Sequence, residues 1–408
     1  MTPPRICLIT PGHLASTPRL VKEADALHAI GFTVRVIAVD HFPAVRPLDE
    51  NVLSRAGWKC DRITLGSRPA YVARRLVQGL ARRIVARQAP ASIRLALWAH
   101  QPNAFRLAAA AAREPADLYL GHCIAGLAAA GLAAARRGAK LGFDAEDFHR
   151  FETSDAPPPE IIALENHWVP RCQHLTAASP LIADAYAEHC HVRPPPVVLN
   201  VFPIADSPNS TVLPAEGPPT LYWFSQTIGP GRGLESLVDL LGRMSVAGNV
   251  SLRGIPVEGF PDALAQRARA AGIRGRLEFL GLAPPGAMVR LAAGHAIGLS
   301  LEQTTPRNRD LCLTNKIFAY LLAGTPVLLS PTSAQRRLAT ELGVAALCFD
   351  LAAPDSSAEL GAFLRSPDRR AAAGAHAHTL GLTRYNWDRE KEVFLHAIRV
   401  TLASPPVK

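Results

Sequence analysis

The chain has 408 residues, of which 48% are hydrophobic and 19% charged, and its formal net charge at pH 7 is +10. This length predicts roughly two or three domains with ample apolar material for their cores. The seven dispersed cysteines form no Cys-x-x-Cys pair, which argues against a zinc site or a disulfide framework and for a reducing, cytoplasmic compartment. No apolar segment approaches the about 20 residues of a membrane-spanning helix, and the N-terminus reads as a buried strand rather than a signal peptide.

Buried strands alternate with helix-length segments in the first half of the chain. A strand at 5–10, an amphipathic helix at 20–30 and a strand at 33–39 open the series. Further strand ends are predicted at 118–120, 141–144, 174–177 and 197–199. Such alternation predicts a parallel sheet with helices on both of its faces.

An arginine-rich stretch interrupts this series. From Arg62 to Arg113 there are ten arginines and no Asp or Glu. Part of it predicts a basic amphipathic helix, with Val72, Leu76, Val77, Leu80 and Ile84 on one face and Arg74, Arg75, Arg82 and Arg83 on the other. Two interpretations stay open: a solvated basic face, or peripheral contact with an anionic membrane surface or lipid phosphate. We expect no nucleic-acid binding, because the stretch lacks interleaved aromatic residues and no nucleic-acid motif follows it.

The segment 203–219 is rich in Pro, Ser, Asn and Asp, has no periodicity and predicts a linker. A second series of strands and helices starts at 221–224 and continues through 346–348. We therefore predict an N-terminal domain (1–202) and a second domain (220–384), with a last helix beginning within 385–389. Two doubly wound domains joined by one linker form a cleft between the carboxyl ends of their sheets, where open α/β sheets bind ligands.

Two helix starts in the second domain carry a basic residue. They are the glycine-rich turn Gly231-Arg232-Gly233 and the segment Thr314-Asn315-Lys316. Helix N-termini bind anions through free N–H groups and the helix dipole, and glycines let the backbone approach phosphate oxygens closely. Because a first turn ordinarily favours acidic residues, a lysine there indicates a phosphate ligand. Together the two starts predict a site for one diphosphate.

Polar residues also follow strand ends in the first domain. His13 lies after the first strand, His122 ends a later one, and Glu146 and Asp147 follow the strand at 141–144. An imidazole or carboxylate at such an edge is a candidate general base or acceptor ligand. The structural alternative is a histidine that only packs, or a carboxylate that pairs with a nearby arginine. No cluster of these residue types has metal-ligand spacing, so we expect neither a metal nor a cofactor.

These motifs resemble those of the GT-B glycosyltransferases of the retaining "group 1" type. The resemblance spans nearly the whole chain and is specific at four or five short motifs, among them Arg232-Gly233, 279–282 and Asn315-Lys316. It implies an α/β GT-B fold, in which two doubly wound Rossmann-like domains face a central cleft. It also implies a nucleotide-diphosphate sugar as donor and a C-terminal helix (385–408) that crosses back to the N-terminal domain.

Local patterns and the resemblance together assign roles to individual residues. Catalytic roles fall on His13, His122, Asp147, Arg232 and Lys316. Donor-binding roles fall on Gln226, Gly231, Gly233, Leu282, Glu302, Asn308, Thr314 and Asn315. Acceptor-side roles fall on Arg19 and Glu146.

Three positions depart from the family's pattern. Leu311 and Ala319 stand where the family has two glutamates eight residues apart, the second of which accepts hydrogen bonds from ribose hydroxyls. Gln226 stands where many relatives carry a second basic residue. Glu302 and the polar run 307–310 are the candidates to compensate.

We therefore predict a glycosyltransferase that moves a sugar from a nucleotide-diphosphate sugar to a glycan, lipid-linked or small-molecule acceptor, as in polysaccharide biosynthesis. The resemblance favours retention of anomeric configuration. One alternative is an inverting GT-B enzyme with His13, Glu146 or Asp147 as the base. Another is a degenerate GT-B protein that binds a nucleotide sugar or a partner transferase without turnover. A sugar-nucleotide epimerase would need acid–base residues that the sequence does not identify.

Overall fold

The computed structural model describes residues 2–64, 66–88, 92–208, 218–244 and 247–405. The chain divides into two compact units. Unit 1 comprises Met1–Val198 and Lys391–Lys408, and unit 2 comprises Leu199–Glu390. The linker predicted at 203–219 begins within unit 2, and its residues 209–217 lie outside the described residues, so the linker stays a prediction.

Unit 1 is an α/β unit built on one sheet. Its strands are β1 (Arg5–Ile9), β2 (Thr33–Asp40), β3 (Lys59–Thr64), β4 (Leu118–His122), β5 (Lys140–Ala145) and β6 (His174–Ala177). Its helices include α1 (Pro18–Ala29), α2 (Arg46–Leu53), α3 (Arg68–Val85), α4 (Ile93–His100), α5 (Ala104–Ala111), α6 (Cys123–Arg137), α7 (Pro159–Trp168) and α8 (Pro180–Cys190). The strands pair in parallel in the order β3-β2-β1-β4-β5-β6, so the winding reverses between β1 and β4.

The sequence of each strand in unit 1 fits its place in the sheet. β1 is buried from Ile6 to Ile9, as expected for a parallel strand that helices cover on both faces. β3 lies at the edge, and its residues are mostly polar and mostly half-buried. It has no apolar run, which is why the sequence analysis did not predict it.

Unit 2 repeats this architecture. Its strands are β7 (Thr220–Ile228), β8 (Asn249–Pro256), β9 (Leu277–Leu280), β10 (Ile297–Ser300), β11 (Val327–Leu329) and β12 (Ala346–Cys348). Its helices include α9 (Leu234–Gly242), α10 (Phe260–Ala271), α11 (Met288–Ala292), α12 (Arg307–Leu311), α13 (Asn315–Leu322), α14 (Ser333–Leu342), α15 (Ser356–Arg365) and α16 (Pro367–Thr383). The parallel order is β12-β11-β10-β7-β8-β9, with the reversal between β7 and β10.

The last helix, α17 (Trp387–Ala403), starts in unit 2, and its residues from Lys391 onward belong to unit 1. Within unit 1, the Lys140 ammonium donates to the carbonyl oxygens of Thr401 (2.7 Å) and Leu402 (2.8 Å). The Lys140 ammonium thus binds the last carbonyl groups of α17, at the end of the helix where its dipole is negative.

The two parallel six-stranded sheets with alternating helices confirm the predicted pair of doubly wound, Rossmann-like domains. The seven cysteines are unpaired. None of the helices in the described part of the chain combines the length and the apolar character that crossing a bilayer requires.

Candidate functional site

The residues that follow β7 and β10, where the winding of the unit 2 sheet reverses, form one cluster. β7 leads into a turn in which Gly231 and Gly233 have left-handed φ angles of 69° and 76°, and α9 begins directly afterwards. A Cβ atom on Gly233 would lie 2.7 Å from the carbonyl oxygen of Leu301. Glycine is therefore required both by the backbone angle and by the close approach of the chain after β10. This turn places Arg232 just before α9.

Lys316 and Glu302 form a buried ion pair in the same cluster. Lys316 lies in the first turn of α13, and its Nζ is 2.8 Å from Oε1 of Glu302, the second residue after β10. The two side chains are only 8% and 9% exposed. Burial by itself would raise the pKa of Glu302, but Lys316, Arg309 and Arg232 together lower it. Glu302 is therefore a carboxylate at neutral pH, and it holds the lysine in one place.

Arg309 brings a third cation to this cluster. Its Nη1 donates to the carbonyl oxygen of Gly231 at 2.5 Å, which ties α12 to the turn before α9. Arg232, Arg309 and Lys316 thus all act on the Glu302 carboxylate. Cations grouped at helix starts are suited to the oxygens of a diphosphate. The sequence analysis included Arg309 only within the polar run 307–310, because a short polar segment carries no local signal of the direction in which an arginine side chain points.

The other predicted donor-binding residues have different surroundings. Gln226 and Leu282 are exposed, whereas Asn308 is buried. The Thr314 hydroxyl lies 3.3 Å from the hydroxyl of Ser300, the last residue of β10. Asn315 is half-buried as the first residue of α13. Thr314 and Asn315 therefore directly precede Lys316, while Gln226 and Leu282 present their side chains to solvent.

Leu311 and Ala319 belong to the core of unit 2. Leu311 is buried at the end of α12, and Ala319 is fully buried in α13, whose residues from Lys316 to Leu322 are all buried. A carboxylate at either position would lose its hydration, which is costly for a charge without a partner. These two positions therefore serve packing in this chain, and any ribose contact has to come from other residues.

A second polar cluster lies in unit 1, at the carboxyl ends of β4 and β5. Arg19 in α1 donates from Nη2 to Oδ1 of Asp144 at 2.8 Å and also from Nε to Oδ2. His122, the last residue of β4, lies between two carboxylates: Nε2 is 3.1 Å from Oε2 of Glu23, and Nδ1 is 3.1 Å from Oε1 of Glu146. All of these side chains except Glu146, which is half-buried, are fully buried.

The charges of this cluster determine the protonation of His122. Burial by itself would lower the pKa of His122, but Glu23, Glu146 and Asp144 raise it to about 10. Burial would raise the pKa of Asp144, yet Arg19 lowers it to about 2. Burial and the Asp144 carboxylate raise the pKa of Glu23, whose Oε2 lies 3.1 Å from Nε2 of His122. His122 is thus a fixed hydrogen-bond donor rather than a free base.

Glu23, His122 and Asp144 form the one group among the described residues whose ligand atoms are close enough for a metal ion, all within 4.8 Å of one another. Arg19, however, donates to both carboxylate oxygens of Asp144. Its positive charge would repel a cation at this position. The donor set therefore fits a buried ion network better than a metal site.

The imidazole of His13 has both ring nitrogens engaged. Nδ1 is 2.6 Å from Oδ2 of Asp49, and Nε2 accepts the backbone N–H of Phe42 at 2.9 Å. Because Nε2 accepts, Nδ1 carries the proton and donates a hydrogen bond to the Asp49 carboxylate. No nitrogen is left to take a proton from a substrate. His13 shapes the turn between β1 and α1 in this structure.

Glu146 and Asp147 follow β5 and are half-buried. Glu146 contacts His122, and the backbone carbonyl of Asp147 accepts the Tyr186 hydroxyl at 3.2 Å. The structure therefore brings Arg19, His122 and Glu146 together within unit 1, as it brings Arg232, Glu302 and Lys316 together within unit 2.

Sequence reasoning missed two acidic residues of unit 1. Glu23 lies four residues after Arg19 in α1, a spacing that puts both side chains on one helix face. That signal was available, since an Arg–Glu pair on an otherwise apolar face indicates burial. Asp49 is 36 residues from His13, and no local pattern connects them.

No protein-family model and no curated protein matches the chain, whereas many solved structures match it. HepE from Anabaena, in complex with UDP and glucose, matches 97% of this chain and 99% of its own at 15% identity, with a TM-score of 0.70. Sucrose-phosphate synthase from Thermosynechococcus elongatus matches 98% of this chain and 100% of its own at 12% identity, with a TM-score of 0.71. A glycosyltransferase from Rickettsia africae matches 99% of this chain and 100% of its own at 11% identity, with a TM-score of 0.70. At these identities the likeness establishes the fold alone, and it confirms the predicted GT-B fold.

Proposed function

We propose that the protein is a glycosyltransferase that moves a sugar from a nucleotide-diphosphate sugar to a glycan, lipid-linked or small-molecule acceptor. The observation that carries the proposal is the group of Arg232, Arg309 and Lys316 around Glu302 where the unit 2 sheet reverses. Open α/β sheets bind ligands at this point, and the surplus of positive charge suits a diphosphate. That HepE, which has a similar fold, binds UDP and glucose supports the same choice.

The chemistry follows from the leaving group. Breaking the bond between sugar and diphosphate leaves negative charge on phosphate oxygens, and cations fixed there stabilise the transition state. Arg232 and Arg309 would face the diphosphate beside the first N–H groups of α9, and Lys316 would contribute at the start of α13. Because three side chains supply this charge, we propose transfer without a metal or another cofactor.

We further propose that anomeric configuration is retained, in line with the family resemblance. An inverting reaction needs a general base that can accept a proton from the acceptor hydroxyl. The engaged nitrogens of His13 disfavour it as that base. Glu146 and Asp147 are half-buried and stay the candidates for the inverting alternative.

A second candidate function is a GT-B protein that binds a nucleotide sugar without turning it over. The observation in its favour is the use of Leu311 and Ala319 for packing, which removes two carboxylates from the ribose end of the site. Donor hydrolysis or sugar transfer by the purified protein would exclude this candidate.

A thermal-shift screen against UDP, GDP, ADP, TDP and their sugars tests both candidates. A ligand that binds the native state raises the unfolding midpoint by mass action. We expect one nucleotide and its sugar to raise it, and the anomeric configuration of the product, measured by NMR, then tests retention. A flat response to every nucleotide contradicts both candidates.

We also propose that the protein works in the cytoplasm at the inner face of a membrane. The arginine-rich stretch in unit 1 supports this location, because basic residues are attracted to anionic lipid headgroups. Of the four arginines predicted to make the contact, Arg75 and Arg83 are exposed, Arg74 is half-buried, and Arg82 donates from Nε to the Ala99 carbonyl oxygen at 2.8 Å.

A further inference from the structure

The helix α3 is attached to unit 1 by a narrow stripe of its surface. Gln78, Ala81 and Val85 are its buried residues, and Gln78 donates to the carbonyl oxygen of His100 at 2.7 Å. Ala81 and Val85 pack with Ala99 of α4 in a small apolar cluster. These residues recur at intervals of three and four, so they occupy one side of the helix.

The apolar side of α3 is not the side that packs. Val72, Leu76, Leu80 and Ile84 recur every four residues and form a stripe along the helix. Leu76 is 71% exposed and Leu80 60% exposed. In the helical projection Val72, Leu76 and Leu80 lie opposite Gln78, Ala81 and Val85, and Ile84 lies at the border of the two sides. The apolar stripe of this amphipathic helix is therefore exposed, and a different side of the helix packs on unit 1.

Arginines border this exposed stripe. Arg68, Arg75 and Arg82 recur every seven residues along one edge, and Arg83 lies between Val72 and Leu76 in the helical projection. The ten arginines of this part of the chain have no acidic residue among them. A helix of 18 residues with an apolar stripe and a basic border can lie flat along a surface for about 27 Å.

We propose that α3 docks on an anionic lipid bilayer, with the stripe of Val72, Leu76, Leu80 and Ile84 inserted among the acyl chains and Arg68, Arg75 and Arg83 on the headgroups. A bilayer interface satisfies both features at once, because it is apolar inside and negatively charged at the surface. A second copy of the chain would bring a matching set of arginines against this one. Nucleic acid would neutralise the arginines but would leave the leucines in water.

This inference deepens the proposed function by naming the surface at which a lipid-linked acceptor would be met. It depends only on unit 1. Vesicle binding can therefore fail while sugar transfer to a water-soluble acceptor stands, and the reverse also holds.

Flotation of the full-length protein with vesicles tests the proposal. One set of vesicles is pure phosphatidylcholine, and the other contains about one third phosphatidylglycerol, whose headgroups attract arginine. We expect binding to the anionic vesicles that weakens as salt is added, and much weaker binding to the neutral ones. Leu76→Ser with Leu80→Ser should reduce binding at least about tenfold. Arg75→Gln with Arg83→Gln should reduce it by about fivefold for each arginine.

Two substitutions serve as matched controls. Val344 is 68% exposed in unit 2, so Val344→Ser removes exposed apolar surface of a similar kind outside α3. Arg193 is exposed outside the arginine-rich stretch, so Arg193→Gln removes one charge there. Both should bind vesicles like the wild type. Thermal unfolding should be the same for all variants, because none of these side chains is buried.

The proposal is overturned if the wild type does not bind anionic vesicles at low salt, or if the leucine variant binds them as well as the wild type does. It is also overturned if the wild type forms dimers in light scattering that the leucine variant lacks, without vesicle binding. That result would make the stripe an interface between two copies. Capture by an acidic protein in place of vesicles would likewise refute it.

Discussion

The buried pair of Glu302 and Lys316 makes the sharpest prediction about the candidate site. At a separation of 2.8 Å and an effective dielectric constant of about 20, the two charges attract each other by about 6 kcal/mol. Much of this offsets the loss of hydration, but removal of one partner leaves the other charge buried and alone, which typically costs about 3–5 kcal/mol. We therefore expect Glu302→Gln and Lys316→Met each to lower the free energy of unfolding of unit 2 by about this amount.

The double variant separates the ion pair from the binding role. With both charges removed, neither member of the pair is left as a lone buried charge, so the double variant should lose clearly less stability than the sum of the two single variants. Affinity for a nucleoside diphosphate should follow a different order. Lys316→Met and the double variant should lose affinity, whereas Glu302→Gln should keep or gain it, because the site then carries one more net positive charge.

Urea unfolding, followed by circular dichroism, and titration calorimetry with the nucleotide found in the screen measure the two quantities. An exposed ion pair provides the control: Arg267 and Asp239 lie 2.6 Å apart in unit 2, and Asp239→Asn should change stability little because solvent screens such pairs. Fully additive losses in the double variant would refute the buried-pair reasoning. A loss of nucleotide affinity in Glu302→Gln as large as in Lys316→Met would show that the carboxylate itself binds the donor.

Other regions of the molecule yield three further predictions. Arg309→Gln should weaken nucleoside-diphosphate binding about tenfold, as expected for the loss of a charge-assisted hydrogen bond. Arg307→Gln in the same helix is the control and should have little effect. Equal losses of affinity in calorimetry would show that Arg309 is not part of the site. Burial lowers the pKa of His174 to about 4, so between about pH 6.5 and 4 the unfolded chain binds a proton that the folded chain does not, and stability should fall by up to about 3 kcal/mol as the pH is lowered. In His174→Gln the decrease measured over this pH range should be smaller by that amount; an unchanged pH dependence would contradict the assignment. Treatment with EDTA should leave any sugar transfer intact, and activity that returns only on adding a divalent cation would contradict the proposal that Arg232, Arg309 and Lys316 suffice.

The sequence was sufficient where one local segment carries the information. The apolar run at 5–10 predicted β1, the alternation of strands and helices predicted two doubly wound domains, and the glycines at 231 and 233 predicted a turn before a helix. In each case neighbouring residues decide the backbone angles and the burial, so no distant contact is needed. The resemblance of short motifs added the GT-B class, which the solved structures confirm.

The site charges depended on residues that are far apart in the chain. Lys316 was predicted as a phosphate ligand and Glu302 as a residue at the donor sugar, yet the fold sets them 2.8 Å apart as a buried pair. His122 was predicted at the end of a strand, and it does end β4, but the sequence did not show that it is buried against Glu23. Only the packing of separate strands and helices brings such groups together, and burial then sets their pKa values.

The sequence by itself thus determined the α/β units, the basic helix starts and the amphipathic character of α3, because these follow from the periodicity and type of neighbouring residues. Tertiary structure alone decided which charges neutralise one another and which face of α3 is exposed. The physical reason is that the periodicity of a helix shows that its two faces differ, but not which of them packs against the rest of the protein. In α3 the packed side consists of Gln78, Ala81 and Val85, and Leu76 and Leu80 are exposed on the surface.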